Sequence, residues 1–569
     1  QLLGAQVVTM DPAEHDRILA LTSHLPHLIA FALVDSLSRD KSSRDIFRYA
    51  SGGFKDFTRI AASDSHMWHD IFLSNKKFVT QAIAQFKQSL EQLEQQIDSA
   101  DAQHQELLAT LTKAKATRSH FAHMYNHTSS SAGHTQSFKQ FSVQTGGSLQ
   151  GEVAIPGDKS ISHRAVMFAS LANGVSKINN FLAGADSLAT VNAFRQMGVV
   201  IEGPTEGKLT IYGNGLHGLK APDAPLDLGN SGTSMRLLCG ILAGAKFESV
   251  LTGDESLSQR PMARVIQPLE QMGAQIAATD DNLPPLQIGG KQQLNAIDYT
   301  LPMASAQVKS AILLAGLYAG GNTSVIEPIV TRDHTELMLQ AFGVKVSRQD
   351  TRITVYPSEL QPRDIMVPSD ISSATFFIVG ASIAPGSNIL LPGVGINPTR
   401  SAIISILQAM GANIQILNER YYGKEPVADI QVSYAQLTGI AVDEALIAIA
   451  IDEFPALCIA AACASGTTTI VGASELRVKE SDRIAAMAQG LTQLGIEITE
   501  QAGGMQIEGG IIGGGKIDSF GDHRIAMSFA MAALVAQQAI TITDCANVAT
   551  SFPSFVTLAQ SAGLKISAS

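Results

Sequence analysis

The chain is poor in cysteine, in charge and in long apolar runs. Its 569 residues include only four cysteines, none of them in a CxxC pair: Cys239, Cys458, Cys463 and Cys545. This excludes a disulfide framework and favours reduced thiols in a cytoplasm. We find no apolar run of the roughly 18 residues that a membrane span needs, and no signal peptide opens the sequence. We therefore predict a cytoplasmic protein without a membrane partner.

Positive charge is also scarce. Lysine and arginine number 40 against 51 aspartates and glutamates, which gives a formal net charge of -11. Nucleic acids are bound by broad basic faces, so we expect no nucleic-acid partner, and any site for an anion must be local. The length predicts roughly three to four domains, and the missing initiator methionine suggests a fragment.

One pattern recurs after about residue 140: a helix-like stretch, then a glycine, then a strand of alternating apolar residues. FRQMGVVIEG and LQAMGANIQI are examples of it. A glycine at this place can take a positive φ and end the helix. Six copies predict six folding units, marked by Gly198, Gly273, Gly343, Gly411, Gly495 and Gly563.

The first quarter of the chain lacks this pattern and is predicted to be helical. Phe86, Leu90, Leu93 and Ile97 recur at steps of four, three and four, as on one face of a long helix from 76 to 124 that needs a partner. The stretch 125–137 that follows has no periodicity and is typical of a linker. No cysteine or carboxylate cluster accompanies the histidines there, so we expect no metal site.

Short cationic and polar clusters stand at the ends of strand-like runs in the six-unit region: PGDKSISHR, GNSGTSMR, SQRPMAR, SAQVKSA, TRDHTE, LRVKESDR and GDHR. A single arginine of this kind is most often a solvated group or half of an ion pair. Several of them in Gly-, Ser- and Thr-rich turns point instead to a shared site for phosphate or carboxylate, because such turns offer N–H groups and hydroxyls.

Two acidic residues complete this set. Asp452 lies among apolar residues in AIDEFPAL, where burial raises and neighbouring cations lower a carboxylate pKa, so it could exchange a proton near neutral pH. The alternative is a cap for the helix that follows. Glu480 lies between Lys479 and Arg483, and its alternative role is an ion pair on a helix surface.

These clusters, together with IDEFP, follow one another in the order and spacing of the 5-enolpyruvylshikimate-3-phosphate synthase (EPSP synthase) family, which residues 139–569 resemble throughout. The resemblance implies an α/β fold of two lobes, each of three βαβαββ units, that close on the substrates. The chain would cross between the lobes near 157–160 and 367–375. Lobe 1 would comprise residues 139–158 and 368–569, and lobe 2 residues 159–367.

The resemblance also implies roles for single residues. The family transfers the enolpyruvyl group of phosphoenolpyruvate to the 5-hydroxyl of shikimate 3-phosphate and releases phosphate. Shikimate 3-phosphate would be held by Lys159, Ser160, Arg164, Ser305, Ala306, Gln307, Arg332, Asp452 and Lys479. Phosphoenolpyruvate would be held by Lys159, Gly232, Arg260, Gln307, Arg483 and Arg524.

This reaction needs a base for the hydroxyl proton and an acid that protonates C3 of phosphoenolpyruvate. We expect Asp452 to be the base and Glu480 with Lys159 to relay the proton, without a metal or an organic cofactor. Thr550 is a departure, because a subgroup of the family carries a lysine there, before its TFP motif. One phosphoenolpyruvate contact therefore has no assignment.

Residues 1–115 have a resemblance of their own. AEHDRILALTSHLPHLIAFAL and GGFKDFTRIAASDSHMWHDIFLSN are similar to the helical C-terminal half of prephenate dehydrogenase, in which His27 and Arg59 would face prephenate. The NAD-binding half is absent from this sequence, so we expect no dehydrogenase activity. We expect the helices to pair two copies of the chain, with residues 116–138 as the linker.

The sequence leaves two other functions to consider. A sister enolpyruvyl transferase acts on UDP-N-acetylglucosamine, but it uses a mobile-loop cysteine and a Lys-Asn pair, and KSISHR stands in place of that pair here. A non-catalytic assembly module is the second, and the intact set of acids and cations argues against it.

Overall fold

The computed structural model describes residues 10–39, 58–98, 107, 110–111, 139–290 and 293–569. The chain divides into two compact units, residues 1–115 and 116–569. The described helices of the first unit are α1 (Pro12–Leu19), α2 (Leu25–Ser38), α3 (Ser65–Ser74) and α4 (Lys76–Asp98). A π-helical turn at Ala20–His24 joins α1 to α2, and a 3-10 turn lies at Arg59–Ala62.

The stripe predicted along α4 is confirmed as one face of a single helix, whose predicted continuation to residue 124 lies mostly outside the described residues. Leu90 and Ile97 are 49% and 62% exposed. Large apolar side chains at a helical spacing are stabilised only when another surface covers them. The face of α4 therefore lacks a cover within the described part of one chain.

The run Pro12–Leu37, which includes α1 and most of α2, is long and apolar enough to cross a membrane by length and composition alone. The expectation that no such run exists was wrong on this criterion. The physical reason is that no charged residue lies between Arg17 and Asp35, so the polar residues there lower the average hydropathy too little. Only 17% of the most apolar window is buried, so this helix also exposes apolar surface.

The second unit begins with β1 (Gln140–Val143) and β2 (Gln150–Glu152). There follow α5 (Lys159–Leu171), β3 (Asn173–Asn179), α6 (Ala185–Gln196), β4 (Val200–Thr205), β5 (Lys208–Asn214), β6 (Leu226–Asp227), α7 (Gly232–Ala243), β7 (Ser249–Thr252), α8 (Glu255–Ser258), α9 (Ala263–Gln271), β8 (Ile276–Ala277), β9 (Leu286–Ile288), β10 (Asp298–Thr300), α10 (Ala306–Gly316), β11 (Thr323–Ile326), α11 (His334–Ala341), β12 (Val346–Gln349), β13 (Arg352–Val355) and β14 (Ile365–Met366).

The remainder consists of α12 (Ile371–Ile383), β15 (Asn388–Gly395), α13 (Ala402–Ala409), β16 (Asn413–Tyr422), β17 (Glu425–Ser433), α14 (Glu444–Ile449), α15 (Phe454–Ala462), β18 (Thr467–Ile470), α16 (Arg483–Gln493), β19 (Ile498–Gln501), β20 (Gly504–Glu508), β21 (Gly515–Asp518), α17 (His523–Ala532), β22 (Ile540–Thr543), α18 (Val548–Ser551), α19 (Phe555–Ala562) and β23 (Ile566–Ala568).

The buried apolar side chains of this unit form two separate cores. One core draws on residues 161–367, and the other on residues 141–155 together with 371–566. We call the corresponding parts lobe 2 and lobe 1, and the domain boundaries given above stay predictions. Each lobe contains three small sheets among the described residues.

Five sheets share one topology, in which an edge strand pairs parallel with its neighbour and the other pairs are antiparallel. The sixth sheet has the order β18-β20-β19, and Thr438 and Ala441 form parallel bridges where its fourth strand would lie. The predicted α/β fold of six βαβαββ units is confirmed by β14-β3-β5-β4, β6-β7-β9-β8, β10-β11-β13-β12, β2-β15-β17-β16 and β21-β22-β1-β23.

The repeat glycines behave as predicted. Each one follows the second helix of its unit and precedes the next strand, and each has a positive φ between 83° and 117°. Residues with a side chain rarely adopt this backbone conformation, so glycine ends each of these helices. The residues concerned are Gly198, Gly273, Gly343, Gly411, Gly495 and Gly563.

The chain passes between the lobes along two adjacent segments. The Asp158 N–H donates to Pro368 O at 2.8 Å, and the Asp370 N–H donates to Pro156 O at 2.9 Å. Gly157 lies between these bonds, and a Cβ there would come within 1.8 Å of Asn180 O. Only glycine therefore fits at this crossing.

Candidate active site

One helix from each unit is buried on nearly all sides: α5, α7, α10, α12, α15 and α17. A helix that is apolar on all sides is typical of the interior of a protein. The clusters found in the sequence supply the first turns, and five of the six helices are capped by Asp158, Ser231, Ser305, Asp370 and Asp522. Free N–H groups and the helix dipole make such first turns suitable for binding anions.

Asp452 lies at the centre of a group of cations drawn from both lobes. Arg332 of lobe 2 donates a hydrogen bond from NH2 to Asp452 Oδ2. Arg524 donates to the backbone oxygen of Asp452 at 2.8 Å. Three guanidinium groups have a nitrogen within 3.6 to 4.0 Å of the carboxylate: Arg400, Arg483 and Arg524. One carboxylate thus contacts arginines predicted to bind each of the two substrates.

These cations fix the charge of Asp452. Burial alone would raise the pKa of Asp452, but Arg332 and Arg524, with smaller contributions from Lys479 and Arg400, hold it well below its usual range. Asp452 is therefore ionised in the free protein, and it does not exchange a proton near neutral pH before substrates bind. It also makes no capping bond to α15, which excludes the alternative role as a helix cap.

Glu480 is placed in a second cationic group. Arg483 NH2 lies 2.6 Å from Glu480 Oε2, and Arg483 Nε lies 2.7 Å from Asp522 Oδ2. Desolvation would raise the pKa of Glu480. The positive charge of Arg483 opposes this most strongly, and the pKa lies below its usual range with further contributions from His523, Arg260 and Lys159. Glu480 is consequently an anion in the free protein and could donate a proton only after its surroundings change.

Lys159 begins α5 and reaches from lobe 2 to lobe 1. Its Nζ lies 2.8 Å from Ser551 Oγ and 3.1 Å from Asp186 Oδ2. Thr550, where some relatives of the family carry lysine, donates its hydroxyl to Asn547 O at 2.7 Å. The neighbouring Ser551, rather than Thr550, therefore contacts the predicted substrate-binding lysine.

Gly232 is the first residue of α7 and leaves room for two arginines. A Cβ at this position would lie 2.8 Å from Arg236 NH1 and 3.2 Å from Arg260 NH1. Arg236 donates to Gln307 Oε1 at 2.8 Å, and burial together with Arg260 lowers its pKa to about 10. Arg260 NH2 donates to Asn230 Oδ1 at 2.5 Å. Two guanidinium groups this close favour an anion between them.

Only part of the PGDKSISHR cluster lies where the lobes meet. His163 is fully buried, and burial lowers its pKa to about 3, so it is neutral. Arg164 is 4% exposed and donates to Thr335 Oγ1 at 2.7 Å, to Ser160 O at 3.0 Å and to Ser310 Oγ at 2.9 Å. Arg164 thus supports the backbone of Ser160, and its direct contact with a substrate stays a prediction.

Ser305 and Ala306 open α10 and are half-buried. Ser305 Oγ accepts a hydrogen bond from the Val308 N–H at 3.3 Å. In this bond the Ser305 hydroxyl is the acceptor, so the hydroxyl proton is still available to bind an anion.

The loop that carries Arg332 also binds lobe 1 directly. His334 Nδ1 lies 2.7 Å from Glu425 Oε1, and Asn397 Nδ2 donates to Asp333 Oδ1 at 2.8 Å. These contacts join the start of α11 in lobe 2 to β17 and to the segment after β15 in lobe 1. The two lobes are therefore in direct contact here, and Arg332 lies against Asp452.

Sequence reasoning missed several residues that shape this site. In each unit a charged or polar side chain of the candidate site lies 11 to 13 residues before the repeat glycine. Arg260, Arg332 and Arg483 were found as parts of polar clusters. The other three positions lie in less polar sequence, and the repeat spacing is the signal that could have found Asp186, Arg400 and Ser551.

The first unit brings three aromatic rings together. The rings of His27 and Trp68 stack with centroids 3.7 Å apart, and the ring of His24 meets Trp68 edge-on at 6.1 Å. Burial lowers the pKa of His24, whose Nδ1 lies 3.2 Å from Asn75 Nδ2. The side chain of Arg59 lies outside the described residues, so the expectation that His27 and Arg59 face prephenate stays a prediction.

Two lobes of three βαβαββ units each, meeting around arginines and carboxylates, define the enolpyruvyl transferase class. Residues 143–558 match the family model of EPSP synthase (3-phosphoshikimate 1-carboxyvinyltransferase), and residues 11–113 match that of the prephenate dehydrogenase dimerization domain. The chain belongs to the EPSP synthase family. The family, the fold class and the enzyme class predicted from the motifs are confirmed, whereas the roles of single residues stay predictions.

Individual relatives support this assignment. The 3-phosphoshikimate 1-carboxyvinyltransferase of Methylococcus capsulatus is 59% identical over 430 residues, which is 75% of this chain and 98% of the relative. That of Alkalilimnicola ehrlichii is 59% identical over 429 residues, or 75% and 96%. The structure of EPSP synthase from Acinetobacter baumannii is 54% identical with a TM-score of 0.71, over 76% of this chain and 99% of that one. The enolpyruvyl transferase NikO from Streptomyces tendae, at 16% identity and a TM-score of 0.62, shares the fold.

Proposed function

We propose that the site between the two lobes transfers the enolpyruvyl group of phosphoenolpyruvate to the 5-hydroxyl of shikimate 3-phosphate and releases phosphate. The observation that carries this proposal is the position of Asp452, which contacts Arg332 of lobe 2 and Arg483 and Arg524 of lobe 1. Two polyanionic substrates can bind these cations, and a carboxylate in the middle can take a proton from a hydroxyl.

The first step is an exchange of partners. The shikimate phosphate binds Arg332 with Ser305, Ala306 and Gln307 at the start of α10, while phosphoenolpyruvate binds Arg260, Arg483 and Arg524 beside Gly232. Lys159 contacts both anions, and Ser160, Arg164 and Lys479 complete the shikimate 3-phosphate site. Each arginine that turns to a substrate leaves Asp452 less compensated, which raises its pKa toward the range of a useful base.

Proton transfer then follows. Asp452 takes the proton of the 5-hydroxyl as its oxygen attacks C2 of phosphoenolpyruvate. Glu480 and Lys159 relay a proton to C3, which gives a tetrahedral ketal phosphate; loss of phosphate and of a C3 proton completes the transfer. Closure of the lobes excludes water and so protects this intermediate from hydrolysis. The chemistry itself requires neither a metal nor an organic cofactor.

A direct assay tests this function. Phosphate release from phosphoenolpyruvate should require shikimate 3-phosphate, and mass spectrometry should detect the enolpyruvyl product. Asp452→Asn should retain both substrates but lower turnover by roughly 10² to 10⁴, the usual effect of a lost general base. The exposed Asp298→Asn, which removes a surface ion pair with Arg352, is the matched control. Unchanged turnover in Asp452→Asn would remove this residue from the mechanism, and release driven by UDP-N-acetylglucosamine would contradict the substrate assignment.

We further propose that residues 1–115 pair two copies of the chain. The match to a dimerization domain, the exposed apolar residues of α4 and the half-buried apolar residues of α2 support this. A cytoplasmic location is consistent with the free thiols, since burial raises the pKa of Cys239, Cys463 and Cys545 to about 12 and so keeps them unreactive.

A further inference from the structure

Arg400 is a buried arginine with an incomplete set of hydrogen bonds. It is 3% exposed, and its NH2 donates to Ser372 Oγ at 2.5 Å. Its Nε and NH1 have no hydrogen-bond partner among the residues that the structure describes. Unpaired donors on a buried charge are costly, and proteins keep them mainly where the group has a task.

The repeats show what this position does elsewhere in the molecule. Arg332 and Arg400 each lie eleven residues before their repeat glycines, and Arg260 and Arg483 occupy nearly the same place in their units. Those three arginines belong to the proposed substrate sites. Arg400 differs from Arg260 and Arg332 because its side chain is only 4% exposed, a burial that it shares with Arg483 at 1%. No substrate is assigned to Arg400, and its described partners are Ser372 and carboxylates of lobe 1.

The carboxylates in question are those of Asp452 and Glu453. Arg400 NH1 lies 3.8 Å from Asp452 Oδ2, and Arg400 NH2 lies 3.5 Å from Glu453 Oε1. Glu453 is 2% exposed, and its Oε2 has no hydrogen-bond partner in the described part of the chain. One guanidinium is thus shared between a buried structural carboxylate and the proposed base.

We propose that Arg400 is a positioning residue for Asp452, which it holds in place after the substrates have drawn the other cations away. This rests on the proposed role of Asp452 as the base. In the structure without substrates Arg332 makes the shortest contact with Asp452, and it must release Asp452 to bind the shikimate phosphate. Arg400 has an unpaired NH1 close by and becomes the remaining partner.

The charges that face Asp452 therefore have two different roles: some bind the substrates, and Arg400 stays with Asp452. These charges are Arg332, Arg400, Arg483, Arg524 and Lys479, with Glu453, Asp158 and Asp370 around Arg400. The bound substrates neutralise the cations of the cleft, so Arg400 is then the charge that still lowers the pKa of Asp452. An opposite charge within about 4 to 6 Å lowers a carboxylate pKa by about one to three units.

The test is the pH dependence of the single-turnover rate with both substrates saturating, measured on the full chain. Arg400→Gln should move the acid limb to higher pH by about one unit, because the base then stays protonated to a higher pH. Arg400→Lys keeps the charge and should move it by a few tenths at most. Glu453→Gln should move it in the opposite direction, since it removes a negative charge and frees Arg400 for Asp452. The substrate phosphates also titrate near pH 6, but they do so in every variant.

Thermal unfolding and calorimetry with shikimate 3-phosphate show whether each variant is folded and binds. If Arg400→Gln does not fold, the near-isosteric Glu453→Gln decides the question alone. Acid limbs that coincide with that of the unaltered chain, in variants that bind shikimate 3-phosphate, would overturn the proposal for Arg400 while leaving Asp452 as the base. Full turnover in Asp452→Asn would instead refute the base assignment, and the two failures are thus distinguishable.

Discussion

At the scale of the residue, Gly232 provides a sharp test of the phosphoenolpyruvate pocket. The Cβ of Gly232→Ala would displace the ends of Arg236 and Arg260, which are flexible enough for the fold to adapt. The cost should therefore fall on the anion held by Arg260. We expect about 1–3 kcal/mol, the usual range for overpacking, or roughly ten- to hundred-fold weaker binding of phosphoenolpyruvate and of glyphosate, the family's competing inhibitor.

Calorimetry with each ligand separately checks this prediction. The affinity for shikimate 3-phosphate should stay nearly constant, because Ser305 and Arg332 lie outside the affected contacts. Ala306→Gly at the first residue of α10 is the converse control and should spare phosphoenolpyruvate. A Gly232→Ala variant that lost mainly shikimate 3-phosphate would show that the two pockets have been assigned in the wrong places.

The polar clusters that meet between the two lobes could be found from sequence, but the ionisation of their side chains could not. Lys159, Gly232 and Arg483 stand in dense polar motifs within Gly- and Ser-rich turns, which local sequence reveals. The low pKa of Asp452 depends on Arg332, 120 residues away along the chain and in the other lobe. Local sequence showed only the apolar neighbours of Asp452, and those would have raised its pKa. The partners of Arg400 likewise come from other segments.

At the scale of the element, the two segments that cross between the lobes bring two helix caps together. Asp370 caps α12 by accepting from the Ser372 N–H at 2.9 Å. Burial, and then the charge of Asp158, raises the pKa of Asp370 to about 6. The charged form therefore costs stability above about pH 6, and this cost disappears as the pH falls toward the unfolded value of 3.8.

Asp370→Asn keeps the capping oxygen and removes the charge. We expect a higher unfolding temperature than the unaltered chain at pH 8, by a few degrees, and roughly half of that gain at pH 5, which lies between the folded and the unfolded pKa. Asp443→Asn, at the exposed cap of α14, is the matched control and should change little at either pH. Thermal scans at the two pH values suffice, and a gain that is equal at both would contradict the charge explanation.

The repeating elements were the most predictable level of the fold. A helix stopped by glycine is a local event, so six sequence copies sufficed to place six units, and Gly411 and Gly495 have the expected positive φ. The pairing of β1 with β22 and β23, or of β14 with β3, joins segments hundreds of residues apart or from opposite ends of a lobe. No local pattern encodes such pairs, and only the family resemblance implied them.

At the scale of the whole molecule, the two units of the chain should be separable in function. The substrate-binding and catalytic residues proposed here all lie between Lys159 and Arg524, within one unit that has its own two cores. We expect a chain that begins at residue 136 to keep the turnover and both substrate affinities of the full chain. Steady-state assays of the two forms side by side check this, and a large loss of turnover would show that the first unit contributes to catalysis.

The first unit should instead set the oligomeric state. Leu90 and Ile97 on α4 are 49% and 62% exposed, and the run Pro12–Leu37 adds further uncovered apolar surface. Surface of this kind is stabilised by a second copy, most often through a two-fold pairing. We expect light scattering to find the full chain as a dimer at micromolar concentration and the chain from residue 136 as a monomer.

Leu90→Gln with Ile97→Gln should weaken the dimer of the full chain, whereas Glu91→Gln with Glu94→Gln on the same helix should not. A monomeric full chain, or a dimer that persists after residues 1–135 are removed, would refute the role given to these helices.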